Sequence, residues 1–313
     1  MEFSSSGDDE EEELQPQHNL DEEEVAMDIE GARSCGQTTV VPYADRGLRS
    51  LLSLGGRAPG PARLLAIPAF EQRRGAFGAG TRRVRIVCLS DTHMKHAFLT
   101  PFMPQGDDHI LLHAGDFTSL GRVEHALEFN EWLGTLHYRH KFIISGNHER
   151  VCGDVRSHSR YAGLLTNGTY VTHGCVTLEE FGGLTIFLSS WEKKHRDNTS
   201  AEPELFPWDH PRLFPGEEKN ESESENERES DGGGRRGVDV LVTHLPPRGV
   251  LDTVRLVKHR GSARLRDRVA QIRPTVHVFG HVHRGGVEAS NGTTFINAAN
   301  PGTNGPIVFD YYY

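Results

Sequence analysis

The sequence is poor in cysteine and has no long apolar run. Its four cysteines, Cys35, Cys88, Cys152 and Cys175, form no C-x-x-C pair. That argues against a domain built on disulfides and fits a reduced, intracellular protein. No stretch approaches the ~20 apolar residues that span a bilayer. Lysine and arginine are absent from residues 1–30, which hold 13 acidic residues. A secretory signal opens with basic residues, so none is expected, and a cytoplasmic protein without membrane contact is the expectation. The whole chain is net −10, yet everything after this stretch is net +3. Bulk acidity placed this way says little about a substrate.

Composition divides the chain. Residues 1–30 read as a solvated acidic tail, too poor in apolar residues to bury a core. Residues 31–82 are rich in Gly, Pro, Ala and Arg, with a leucine patch at Leu48, Leu51, Leu52 and Leu54. They read as a flexible linker; the composition also resembles a transit peptide, but such a peptide begins its chain. Residues 83–313 read as a globular domain. Within it, residues 193–236 read as an acidic, disordered insertion, whose core from Gly216 to Gly234 is mostly Glu, Ser, Asn and Gly.

Inside the domain, short β-branched or aliphatic runs predict strands at Val84–Leu89, His109–His113, Lys141–Ser145, Leu184–Leu188, Gly237–Thr243, Thr275–Phe279, Thr293–Ile296 and Pro306–Phe309. Helical spacing of Val123, Ala126, Leu127, Leu133 and Leu136 predicts a helix over 121–136. Ser262 is placed to cap a helix carrying Leu265, Val269 and Ile272, which Pro274 bounds. Alternating strands and helices predict an α/β layered domain with its site outside the carboxyl ends of the strands.

Polar residues gather at those ends. Asp91-Thr92-His93 follows the first strand. Gly115-Asp116 ends the second and Gly146-Asn147-His148-Glu149 the third. Thr243-His244 and Gly280-His281-Val282-His283 end two later ones. In extended backbone, residues two apart share a face, as with Asp91 and His93. Carboxylate, imidazole and amide oxygen together suit divalent Mn, Fe or Zn. Each fragment alone is weak evidence; five in order supply seven ligand-type side chains.

This order resembles the calcineurin-like metallophosphoesterases, whose motifs are D-x-H, G-D, G-N-H, a histidine after a strand, and G-H-x-H. The stretches LLHAGDFT, EFNEWLGTL, LVTHLPPRG, HVFGHVH and PIVFD resemble the metallophosphoesterase-domain-containing (MPPED, UPF0046) branch. The resemblance covers about Arg83 to Asp310 without the insertion. It implies a four-layer α-β-β-α sandwich and two divalent metal ions. Asp91, His93 and His283 would hold one ion; Asn147, His244 and His281 the other; Asp116 would bridge them. His148 would face the leaving oxygen as the catalytic proton donor, with Glu149 a candidate to orient it. The implied activity is hydrolysis of small phosphodiesters, cyclic nucleotides included, by a metal-bridged hydroxide. Protein phosphatases carry G-D-x-V-D-R-G, whereas this chain reads Gly115-Asp116-Phe117-Thr118-Ser119-Leu120-Gly121, which removes the phosphate-gripping arginine.

Two other readings compete. A metal-binding scaffold would keep the fold without catalysis, but here the ligand set is unbroken and His148 is present. A nuclease would need a basic groove with aromatics. The nearest basic cluster, Arg255, Lys258, Arg260, Arg264, Arg266 and Arg268, reads equally well as a solvated helix face. Protein partners stay open.

Overall fold

In the computed structural model the described residues are 60–77, 80–149, 155–190, 213, 237–254, 258–302 and 304–313. The expected acidic tail, the leucine patch and all of the expected insertion except Leu213 lie outside them.

Strands and helices are numbered along the chain. One sheet runs β1 (Arg63–Leu65), β14 (Ile307–Tyr312), β2 (Arg83–Leu89), β3 (Ile110–His113), β4 (His140–Ile143), β5 (Thr169–Tyr170). The other runs β12 (Gly286–Ser290), β13 (Thr293–Asn297), β11 (Val276–Phe279), β8 (Val240–Thr243), β7 (Leu184–Ser189), β6 (His173–Leu178). A separate hairpin pairs β9 (Thr253–Val254) with β10 (Lys258–His259). The helices are α1 (Pro68–Phe77), α2 (Val123–Thr135), α3 (Val155–Leu164) and α4 (Ala263–Ile272).

Alternation along β2 shows how the layers form. Val84, Ile86 and Cys88 point into a core shared with Ile186, Val242 and Val278 of the other sheet. Val87 and Leu89 point the other way, onto Phe129, Trp132 and Leu133 of α2. Across the second sheet, Phe187, Leu241 and Phe279 pack on Leu265, Val269 and Ile272 of α4. Helix, sheet, sheet and helix therefore form the four layers expected, and strands covered on both faces read as continuous apolar runs. Ser262 caps α4 as predicted, its side chain accepting from Leu265 N. No helix among the described residues is long and apolar enough to cross a membrane.

The fold starts before residue 83. Within the stretch expected as linker, β1 pairs parallel with β14. Ile67 and Phe70 enter the inter-sheet core, and Arg73 Nη2 donates to Asp239 Oδ1 at 2.8 Å. Three residues of strand and a helix crossed by Gly75 carry too little periodicity to separate them from linker. Neighbouring strands β2, β3 and β4 run parallel, as do β7, β8 and β11. The carboxyl ends within each set therefore open on one side.

Candidate metal centre

The ligand candidates leave their strands through turns, not in extended backbone. Asp91 (φ 53°), His93 (φ 41°), Asp116 (φ 53°) and His281 (φ 66°) are all left-handed. The expectation that Asp91 and His93 share one face of an extended strand is corrected. Left-handed non-glycine residues cost about 1–3 kcal/mol each and persist only where surroundings fix them. Here the fixing is visible. Asp91 N donates to Gly115 O at 2.9 Å and His93 N to Asp116 O at 3.1 Å. His281 N donates to Asp91 Oδ2 at 2.9 Å.

The turns bring all seven candidates together. His283 Nε2 lies 3.2 Å from Asp91 Oδ1 and 3.1 Å from His93 Nε2. Asn147 Oδ1 lies 2.9 Å from His281 Nδ1 and 3.2 Å from His244 Nε2. Asp116 Oδ2 lies between the groups, 3.4 Å from His244 Nε2 and 3.8 Å from His93 Nε2. Asp91, Asp116 and His244 are themselves one of the close triads able to hold a cation.

Tautomers follow from the backbone. His93 Nδ1 meets Thr118 O at 3.1 Å and His244 Nδ1 meets Ala114 O at 2.8 Å. A carbonyl only accepts, so each Nδ1 carries a proton, which leaves the inward-facing Nε2 as the atom that would bind a cation. In the first group, the His93 lone pair faces another imidazole nitrogen beside a buried carboxylate. That donor set fits a divalent cation.

Two glycines admit this approach. A Cβ at Gly146 would stand 2.3 Å from Asp116 Oδ1, and one at Gly280 would stand 2.0 Å from Asp91 Oδ2.

Charge is arranged to keep both aspartates ionised. Burial raises the Asp91 pKa, but the His283 hydrogen bond and the His244 charge outweigh it, and the net shift is downward. Asp116 behaves alike: burial opposes, while His244 and the His148 amide carry it well below the usual carboxylate range. Burial first, then the His244 charge and more weakly Arg260, bring His281 to about 4, against the pull of Asp91 and Asp116.

His148 stands close as well, and with His93 and Asp116 it forms another of the triads able to hold a cation. Its Nδ1 meets Ser119 O, its Nε2 is 3.9 Å from Asp116 Oδ2, and its side chain is 40% exposed. Glu149 does not orient it. The Glu149 carboxylate is buried and accepts from Asp116 N, Gly146 N, Thr118 N and Thr118 Oγ1 at 2.8–2.9 Å. It clamps the two loops that carry Asp116 and Asn147. Burial and the Asp116 charge push its pKa up, to about 8, against these donors. Nothing in the G-N-H-E motif alone reveals those partners.

Other polar residues near the ligand motifs find plainer places. His113 is buried and braces Thr92, its Nε2 3.1 Å from Thr92 Oγ1. Asn297 and Asn300 bond turn backbone. Arg248 lines an open groove of about 790 Å³ with Arg266, Arg273 and Phe295, and no metal-ligand candidate lines it. Arg284 is exposed beside His283. Ser190 is buried and accepts from Ser145 N at 2.9 Å; Trp191 and Glu192 lie outside the described residues.

Comparison with known proteins agrees with the geometry. Residues 84–285 match the family model of calcineurin-like phosphoesterases. Human metallophosphoesterase domain-containing protein 1 is 34% identical over 256 residues, covering 72% of this chain and 70% of that protein. A UPF0046 protein of Caenorhabditis elegans is 34% identical over 239 residues, covering 69% of this chain and 75% of its own length. Among solved structures, a phosphopantetheinyl hydrolase from Mycobacterium tuberculosis superposes with a TM-score of 0.46 at 16% identity, covering 69% of this chain and 89% of that one. The chain belongs to the calcineurin-like phosphoesterases, in their metallophosphoesterase-domain-containing UPF0046 branch, a metal-dependent family of hydrolases acting on phosphoric esters.

Proposed function

We propose that the chain is a dinuclear phosphodiesterase, active on small diesters including cyclic nucleotides, with manganese among the metals it uses. The observation that carries the reading is the position of Asp116. Its Oδ2 lies within 4 Å of Nε2 of His93, His244 and His148 alike. A carboxylate there is within reach of both donor groups, which supports a bridging role.

Asp91, His93 and His283 would hold one ion, and Asn147, His244 and His281 the other, with Asp116 common to both. When bound, paired divalent ions supply positive charge that acidifies a water and neutralises phosphate oxygens. The remaining work falls to side chains. The Ser119 carbonyl fixes His148 with its Nε2 edge toward the site. A proton at Nε2 would pass to the departing ester oxygen, general-acid help worth about 10²–10⁴-fold in rate. Glu149 acts one layer further out, holding the Asp116 and Asn147 loops in register.

The test is turnover of bis-p-nitrophenyl phosphate by manganese-reconstituted full-length protein, with the Asp116→Asn variant as control. Metal-dependent hydrolysis lost in the variant supports the reading. No turnover of diesters at about two ions per chain would overturn it.

A further inference from the structure

Two histidines outside the ligand set hold the same kind of place, one in each sheet. His277 on β11 is fully buried, with its ring centroid 5.1 Å from that of Phe279 and 5.9 Å from that of Phe295. His113 on β3 is fully buried against Phe117 and Phe129. In both rings Nδ1 has no hydrogen-bond partner. In both, Nε2 meets a threonine hydroxyl: Thr243 Oγ1 lies 2.9 Å from His277 and Thr92 Oγ1 lies 3.1 Å from His113.

Buried polar atoms are nearly always paired, and one left unpaired costs roughly 1–3 kcal/mol. Phenylalanine would fill either aromatic surrounding without leaving such an atom. Packing alone therefore does not call for an imidazole, and the threonine contact is what distinguishes one from a plain ring.

Both threonines adjoin ligand candidates. Thr92 lies between Asp91 and His93, and Thr243 directly precedes His244. In the second sheet the bonding can be followed atom by atom. Thr243 Oγ1 donates to Leu245 O at 2.8 Å. A hydroxyl has one proton, so the same oxygen accepts from His277, and Nε2 is the protonated nitrogen of that ring. The run from His277 through Thr243 to Leu245 thus steps across His244 and fixes the chain on either side of it. His277 reaches Thr243 because β11 and β8 run parallel, with Val278 opposite Val242. His244 itself is held at its ring, where Nδ1 donates to Ala114 O at 2.8 Å, and at its carbonyl, which accepts from Gly280 N at 3.0 Å.

We propose that His277 and His113 are positioning residues of the metal centre, each acting through one threonine hydroxyl on one donor group. His277 sets His244, and His113 sets the turn of Asp91 and His93. This rests on the reading of the centre as two donor groups, and it means that the affinity of each group for its ion can be changed alone.

The test is calorimetric titration of full-length protein with manganese, beside urea unfolding of the same protein without metal. His277→Phe keeps a ring and removes both the donor and the unpaired nitrogen. Its unfolding midpoint should equal or exceed that of wild type, while affinity for one ion falls by about 10–100-fold. His277→Gln keeps a donor for Thr243 and should recover part of that loss. Thr243→Val, which removes the hydroxyl at similar volume, reads the same loss if His277→Phe fails to fold. His113→Phe should weaken the other ion instead. Wild-type affinities in His277→Phe and Thr243→Val overturn the proposal. So does a loss of affinity that only follows a lowered midpoint, or weakening of the same ion by His277→Phe and His113→Phe. The titration needs no turnover: if wild type binds manganese and cleaves no diester, the phosphodiesterase reading fails while the affinities still decide about both histidines.

Discussion

Glu149 Oε2 accepts the backbone N–H of Asp116 at 2.8 Å, which places a buried carboxylate directly behind the carboxylate proposed to bridge the two donor groups. The same oxygen takes Gly146 N at 2.8 Å, so one side chain sets the spacing of two ligand loops.

Glu149→Gln should therefore weaken metal binding without removing a ligand. The amide NH₂ would meet donors in place of an acceptor, and loss of such supporting contacts costs about 10–100-fold in metal affinity. Manganese titration by calorimetry reads this directly. Wild-type affinity in the variant contradicts the clamp.

His148→Ala should separate chemistry from metal binding. We expect kcat to fall by about 10²–10⁴-fold with metal content per chain unchanged, as measured by elemental analysis. A matching loss of metal would make His148 a ligand instead of a proton donor.

Gly146→Ala should be damaging despite the small change. Its Cβ would stand 2.3 Å from Asp116 Oδ1 and 2.6 Å from His244 Cε1. Overpacking of this kind costs about 1–3 kcal/mol, and both candidate ligands would shift. A wild-type urea midpoint with wild-type metal content would show that the loops can give way.

Acid should destabilise the fold through three buried histidines. His96, His113 and His277 are each brought by burial from 6.5 to about 3. Below their ordinary pKa the unfolded chain binds protons that the folded chain refuses. Their stabilisation is therefore full above about pH 6.5 and is lost as pH falls toward about 3, by up to about 1.4 kcal/mol per pH unit for each residue. His96 is the cleanest probe, packed against Phe129 and Trp132 with neither ring nitrogen hydrogen-bonded. His96→Phe should flatten the slope of unfolding free energy against pH by about one proton. An unchanged slope would contradict this account of its protonation.

The layered fold was legible in the sequence because its central strands are buried on both faces. Ile110–His113 and Val276–Phe279 read as apolar runs for that reason. Edge elements were not. The β12 strand, Gly286–Ser290, keeps its outer residues exposed and lacks a clean alternation, and α3 shows few apolar positions. Ligand identities were readable because metal chemistry restricts residue types. Their conformations were not: Asp91 and His281 look like strand residues until left-handed turns are seen. The role of Glu149 was hidden because its partners at 116, 118 and 146 meet it only after β3 and β4 pair.

The central claim is that two ions share Asp116. Anomalous X-ray scattering at the manganese edge, on crystals of the reconstituted protein, tests it most directly. The account predicts two peaks, one contacted by Asp91, His93 and His283, the other by Asn147, His244 and His281, with Asp116 touching both. A single peak, or peaks that leave Asp116 uncontacted, would contradict it.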